Sequence, residues 1–160
     1  MRPARIAAAR ALAVCAVAIA AFHGSEAAQP PARERVVGLP CEDCEAVFVG
    51  LPSSLPATAR IARETERGDP LQLRGRVLDR NGAAVAGVIV YAYQTDRGGI
   101  YRRDATLKGT AASQHGLLRG WVSTNKNGEY AFDTIRPGGY PNRTDPEHIH
   151  LYVIEPGRCT

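Results

Sequence analysis

The alternation of apolar and polar positions after residue 70 predicts a series of short β-strands. In LQLRGRVL, Leu73, Gly75 and Val77 alternate with arginines, which is the period of a half-buried strand. GVIVYAYQT is a β-branched and aromatic run typical of a central strand, and similar runs occur in GLLRGWVST, EYAFDTI and EHIHLYVIEP. No amphipathic helical period separates these runs. The predicted fold class is therefore all-β, an antiparallel sandwich or barrel.

Turn signals separate the predicted strands. RNG at 80–82 predicts a turn, and NKNG at 125–128 predicts a hairpin in which EYAFDTI returns beside GLLRGWVST. TDRGGIYRRD and RPGGYPNRTDP are rich in glycine, proline and charge, and are predicted to be loops. Residues 28–69 are rich in proline, alanine and arginine, and only EAVFVGL looks strand-like or packed. We expect an arm that lies over the domain.

The first 27 residues have the organisation of a secretory signal peptide. Three arginines precede a short apolar run, and the small residues of SEA follow it. The apolar run is too short to span a bilayer as a helix. We therefore expect an exported protein, periplasmic or secreted, with no membrane attachment once the signal is removed. Its expected parts are a signal peptide at 1–27, an arm at 28–69 and a β-domain at 70–160.

Charge and cysteine content narrow the functional classes. The formal charge of +4 falls to +2 without residues 1–27, because that segment holds three arginines and one glutamate. So small a charge predicts neither nucleic-acid nor membrane binding. The remaining cysteines are Cys41 and Cys44, in CEDC, and Cys159. A disulfide between the first two is the favoured interpretation in an oxidising compartment, with a redox motif or half a zinc site as alternatives.

Two histidines and two loop tyrosines are the candidate site residues. Side chains at i and i+2 of a strand share a face, so His148 and His150 either converge on one metal ion or are two polar residues on a solvated face. After residue 27 the chain offers only His115 as a further imidazole. Tyr101 and Tyr140 lie in loops just after Gly-Gly pairs, where no periodic core role explains them. Phenolate is a hard anionic donor, so two tyrosines and two histidines make a coherent Fe(III) site.

The stretch from LQLRGRV to HIHLYVIEP resembles the intradiol ring-cleavage dioxygenases, non-haem ferric enzymes that open catechols between the two hydroxylated carbons. PCEDCEAVFVGLP is similar to the arm of a small exported branch of that family. The most specific part of the likeness is NGEYAFDTIRPGGYPNRTDPEHIH. The resemblance implies a β-sandwich in which Tyr101, Tyr140, His148 and His150 bind Fe(III). It also implies that O2 and a small aromatic diol react to give a cis,cis-muconate-type diacid.

The resemblance further implies that Tyr140 is the labile ligand, which leaves the iron and accepts a substrate proton. Family members place an arginine three residues before the first histidine, but this chain has Asp145 there. Arg143 is the candidate for that role, and Arg119 is the alternative. The chain stops ten residues after His150, where family members continue with further strands. We therefore expect a shortened sandwich of marginal stability, in which the edge strand HLYVIEP favours pairing between two copies.

Two other interpretations stay open. GRVLDRNGAAVAGVIVYAYQTD is also similar to carboxypeptidase-regulatory and transthyretin-like modules, which would make the chain a non-catalytic exported binding module. The other interpretation is an Fe(II) site of His148, His150 and a carboxylate, from Glu147 or Asp145. A regular strand would direct Glu147 to the face opposite the two histidines, which disfavours this site.

Overall fold

The computed structural model describes residues 44–154. The predicted signal peptide, Cys41 and Cys159 lie outside the described residues, and Cys44 is described only by its backbone. Within the described range, no helix is both long enough and apolar enough to cross a membrane.

The described chain forms six strands and three short 3-10 helices. The strands are β1 (Thr58–Arg60), β2 (Pro70–Arg76), β3 (Ile89–Tyr93), β4 (Arg119–Ser123), β5 (Glu129–Ile135) and β6 (His150–Ile154). The 3-10 helices span Cys44–Phe48, Ala105–Leu107 and Ala111–Gln114.

The strands form two three-stranded sheets, in the orders β1-β5-β2 and β4-β3-β6. Every pairing between these strands is antiparallel except that of β1 with β5, which is parallel. The all-β, antiparallel sandwich predicted from the strand pattern is confirmed. β1 comes from the segment that we expected to be an arm, and the Ile61 backbone N–H continues its pairing by donating to the Asp133 carbonyl at 2.9 Å. Part of that segment therefore belongs to a sheet.

The main core lies between the two sheets. Val90 of β3 and Val122 of β4 pack with Phe132 of β5, and all three are fully buried. Burial of each such side chain contributes about 1.5–3 kcal/mol to folding. The outer face of the β4-β3-β6 sheet carries a second cluster, in which Tyr91 packs against Val47 of the first 3-10 helix. The candidate site lies next to this aromatic outer face.

The predicted hairpin between β4 and β5 is wrong. Its turn does form, because the Asn125 side-chain oxygen accepts from the backbone N–H groups of Asn127 and Glu129. However, β5 pairs with β2 along its whole length, whereas β4 pairs with β3. The turn therefore connects the two sheets, and Val122 and Phe132 meet across the core. Local turn residues specify a reversal of the chain but do not specify which sheet the next strand joins.

Candidate metal centre

The four predicted ligand residues come together at the start of β6. The Tyr140 hydroxyl lies 2.7 Å from the Tyr101 hydroxyl, 2.9 Å from His148 Nε2 and 3.4 Å from His150 Nε2. The two histidine Nε2 atoms are 3.1 Å apart. All four side chains are half-buried. The structure thus gathers two phenol oxygens and two imidazole nitrogens from three separate segments around one point.

The prediction that both histidines belong to one strand is wrong. His150 is the first residue of β6, and His148 lies two residues before it, outside the ladder. The Nδ1 atom of His148 is 2.6 Å from the Pro146 carbonyl oxygen. A carbonyl can only accept, so Nδ1 is the donor and Nε2 is the nitrogen that faces the cluster. A local hydrogen bond therefore orients His148, in place of a strand pleat.

Close backbone contact between two Gly-Gly loops brings the two tyrosines together. The Gly138 backbone N–H donates to the Asp96 carbonyl at 2.8 Å. A Cβ on Gly99 would lie 1.9 Å from the Gly139 carbonyl oxygen, and one on Gly138 would lie 2.4 Å from the Arg97 carbonyl oxygen. No side chain fits in either place without movement of the backbone. One glycine in each of the Gly-Gly pairs that precede the two tyrosines thus has a steric explanation.

Burial shifts the pKa values of Tyr101 and His150 in opposite directions. It raises the pKa of Tyr101 far above its ordinary value, and the hydrogen bond with Tyr140 adds to this effect. Burial also lowers the pKa of His150, and the neighbouring His148 lowers it further. His150 is therefore neutral at pH 7, which is the form that binds metals. The raised pKa of Tyr101 means that its phenol ionises only when a cation contacts it.

The donor set fits a trivalent metal ion. Nitrogen and oxygen ligands at about 2.1 Å from a common ion lie about 3–3.5 Å apart, and the separations between these donor atoms run from 2.7 to 3.4 Å. Two phenolates would offset two charges of Fe(III), and the two imidazoles are neutral donors.

The alternative Fe(II) site is not supported. The carboxylates proposed for it point to arginines, because Glu147 accepts from Arg136 at 2.6 Å and Asp145 accepts from Arg143 at 2.7 Å. Among residues 44–154, no group of three or more His, Cys, Asp or Glu side chains could hold a metal ion. The oxygen donors beside His148 Nε2 and His150 Nε2 are instead those of the tyrosines, because the Tyr140 hydroxyl contacts both nitrogens and the Tyr101 hydroxyl.

The two candidate arginines lie in different places. The Arg143 guanidinium carbon is 5.3 Å from the centre of the Tyr140 ring, so its positive charge stands beside the predicted labile ligand. Arg119 instead donates to the Val49 carbonyl at 3.0 Å and lies over the Trp121 ring. Of the two, Arg143 is the one that the structure brings to the tyrosine and histidine cluster.

Sequence reasoning missed an aromatic stack behind His150. Tyr93, which lies in the strand predicted from GVIVYAYQT, stacks on His150 with ring centres 4.4 Å apart and planes 8° apart. Its other face stacks on His115, with ring centres 3.7 Å apart and planes 1° apart. The strand pattern places Tyr93 on the same face as Tyr91, but only the register between β3 and β6 brings it opposite His150.

Comparison with known proteins identifies the family. A family model described as "Dioxygenase" matches residues 48–158. The chain is 33% identical over 92 residues to the protocatechuate 3,4-dioxygenase beta chain of Burkholderia cepacia, covering 54% of this chain and 39% of that protein. It is 30% identical over 104 residues to the catechol 1,2-dioxygenase of Candida albicans, covering 55% of this chain and 33% of that protein.

A solved structure agrees with this match. The dioxygenase domain of a dioxygenase and carbohydrate-binding protein fusion from Streptomyces sp. SirexAA-E superposes with a TM-score of 0.51 at 30% identity. The superposition covers 68% of this chain and 62% of that domain. The chain spans between a third and two fifths of the length of the two curated relatives. On the family match, the fold and these relatives, the chain belongs to the intradiol ring-cleavage dioxygenase family.

Proposed function

We propose that this chain is a non-haem Fe(III)-dependent intradiol dioxygenase, which cleaves a catechol-type ring with O2 to a cis,cis-muconate-type diacid. The observation that carries the proposal is the convergence of Tyr101, Tyr140, His148 and His150. The Tyr140 hydroxyl lies 2.7–3.4 Å from the donor atoms of the other three, and the two histidine Nε2 atoms are 3.1 Å apart. Relatives named as catechol and protocatechuate dioxygenases support the substrate class. A non-catalytic binding module would have no need for this donor set.

Each of the four residues has a distinct role in the proposal. When bound, Fe(III) would act as the Lewis acid that draws electron density from a chelated catechol and makes its ring reactive toward O2. His148 and His150 would hold the ion through Nε2, and Tyr101 would remain a fixed phenolate ligand. Tyr140 Oη would accept a proton from a substrate hydroxyl, because it lies at the centre of the donor cluster.

Arg143 would stabilise negative charge that develops on the substrate. Its guanidinium already lies over the Tyr140 ring, which brings a positive charge within reach of an anion bound there. Its ion pair with Asp145 is exposed on both sides, so solvent screens it and the pair contributes little to stability. Arg143 is therefore able to exchange this partner for a bound anion.

The proposal also covers where the protein is located and whether it associates with a second copy. Export to the periplasm or beyond is supported by the signal-peptide pattern of residues 1–27. A second copy of the chain is a candidate partner, because β6 is an edge strand within residues 44–154 and its Val153 side chain is 56% exposed.

The direct test is to purify the protein with ferric iron and to incubate it with a panel of catechols under O2. We expect a visible tyrosinate-to-iron absorption band, O2 consumption, and a diacid product that contains both atoms of the consumed O2. Tyr140→Phe should lose turnover, whereas Tyr130→Phe, a control on β5 outside the cluster, should keep it. Iron binding with no turnover of any catechol would contradict the proposed reaction, and the absence of ferric binding would contradict the proposed site.

A further inference from the structure

Tyr93 lies between two imidazoles in a nearly parallel stack. It is paired with His150 in the β3–β6 ladder, so its ring covers one face of the His150 ring. His115 covers the other face of Tyr93 at 3.7 Å between ring centres. The stack therefore runs from the metal-facing histidine into the buried outer cluster of the sheet.

The far end of the stack is held rigidly. His115 is 3% exposed, and its Nδ1 is 2.8 Å from the hydroxyl of Tyr91, which is fully buried. The next residue, Gly116, has φ 70°, and a Cβ there would lie 2.8 Å from the Arg102 carbonyl oxygen. His115 thus provides a fixed surface against which Tyr93 packs.

The two metal-facing histidines differ in what orients them. The hydrogen bond from Nδ1 to the Pro146 carbonyl sets the ring plane of His148. Within residues 44–154, the hydrogen bonds of His150 involve Nε2 alone, so its Nδ1 has no such anchor there. Rotation of the His150 ring about its Cβ–Cγ bond would break the parallel contact with Tyr93. Packing against Tyr93 therefore orients the His150 ring, whereas a hydrogen bond to the Pro146 carbonyl orients the His148 ring.

We propose that Tyr93 and His115 are positioning residues, which fix the ring plane of His150 so that its Nε2 points to the shared donor cluster. The inference rests on the proposed function of that cluster. Neither side chain needs to touch the metal or the substrate. Groups that orient metal ligands from outside the ligand set change metal affinity by about 10- to 100-fold when they are lost.

The first measurement uses the metal-free, full-length protein, so that it does not depend on the proposed function. Stacking on Tyr93 shifts the ring-proton resonances of His150 upfield, and NMR of histidine-labelled protein detects this shift. Tyr93→Phe should preserve the shift, because it keeps the ring. Tyr93→Leu should remove it, and His115→Leu should reduce it. An unchanged His150 resonance in folded Tyr93→Leu would overturn the proposal.

The second measurement is ferric affinity, by competition with a chelator. We expect Tyr93→Phe to bind within about 2-fold of the wild type and Tyr93→Leu to bind about 10- to 100-fold more weakly. Tyr152→Leu is the matched control, because Tyr152 belongs to the same aromatic cluster and, within the described chain, its ring contacts are with Tyr91, Tyr93 and His115. An equal loss of affinity in Tyr152→Leu would assign the effect to general packing and overturn the positioning role. If the wild type binds no ferric ion, the proposed function fails and the NMR result still decides on the stack.

Discussion

The hydroxyl oxygens of Tyr101 and Tyr140 lie 2.7 Å apart, although 39 positions separate them in the chain. The contact depends on two loops whose backbones meet at Gly99, Gly138 and Gly139. A site built on loop residues requires such a constraint, because loops otherwise hold side chains less precisely than strands do. The glycines before each tyrosine are therefore part of the site, although they carry no functional group.

We expect Gly138→Ala to separate the two tyrosines. The new methyl group would lie 2.4 Å from the Arg97 carbonyl oxygen, which is backbone and cannot move aside cheaply. Overpacking of this kind costs about 1–3 kcal/mol of stability, and ferric affinity should fall with it. Thermal melts and iron titrations check both. Gly139→Ala is the matched control, because its methyl group would meet only the Asp145 carbonyl oxygen, at 3.6 Å. Equal behaviour of the two variants would contradict the steric account.

Gly99→Ala tests the same contact from the opposite loop. The backbone there has φ 78°, so alanine is strained by its conformation as well as by a clash at 1.9 Å with the Gly139 carbonyl oxygen. Gly109 has φ 79°, and a Cβ added there would meet nothing within 4 Å, so Gly109→Ala reports the conformational cost alone. We expect Gly99→Ala to lower the melting temperature clearly more than Gly109→Ala. A similar decrease in both would mean that the loops tolerate the added methyl group.

The two tyrosines should differ in their effects on iron and on turnover. Tyr140→Phe should keep some ferric binding and lose turnover, because the phenol proposed to accept the substrate proton is gone. Tyr101→Phe should weaken iron binding and shift the tyrosinate absorption band, because that phenolate is proposed to stay bound. Visible spectra and O2 uptake measure both effects. Identical spectra for the wild type and both variants would exclude tyrosinate ligation.

Self-association should depend on the β6 edge. Leu151 and Val153 of β6 are 40% and 56% exposed, and apolar side chains on an edge strand favour pairing with another chain. We expect Val153→Lys to shift the protein toward monomer in sizing chromatography. Leu117→Lys, at an exposed apolar position outside the strands, is the control and should leave the elution volume unchanged. A wild-type protein that is already a stable monomer would contradict this prediction.

The strands of the described domain could be predicted from sequence because their apolar periods are local. The alternation in LQLRGRV marks β2, and the β-branched run around Tyr91 marks β3. The partners of each strand could not be predicted in the same way. The turn at Asn125 leads the chain into the other sheet, and the strand that begins at Thr58 pairs with β5 in parallel. Sheet membership depends on contacts distant in sequence.

The candidate site, like the fold, could be predicted only in part from the sequence. The spacing of His148 and His150 in a strand pattern marks them as candidates, the loop tyrosines are marked by the lack of a periodic core role, and the structure brings all four together. The stack through Tyr93 had no such signal, because an aromatic residue in a strand pattern is usually core. Its contact with His150 follows from the β3–β6 register, which the pattern of a single strand does not contain.

The most direct test of the central claim is a ferric titration of the purified protein, followed by its visible spectrum, together with the variants His148→Ala and His150→Ala. We expect the wild type to bind one ferric ion per chain with a tyrosinate-to-iron absorption band, and each variant to lose that band. We also expect iron to raise the melting temperature of the wild type, because a ligand that binds only the folded state stabilises it. A wild-type protein that binds no iron, or that binds it without the band and equally well in both variants, would contradict the claim that these tyrosines and histidines form a metal centre.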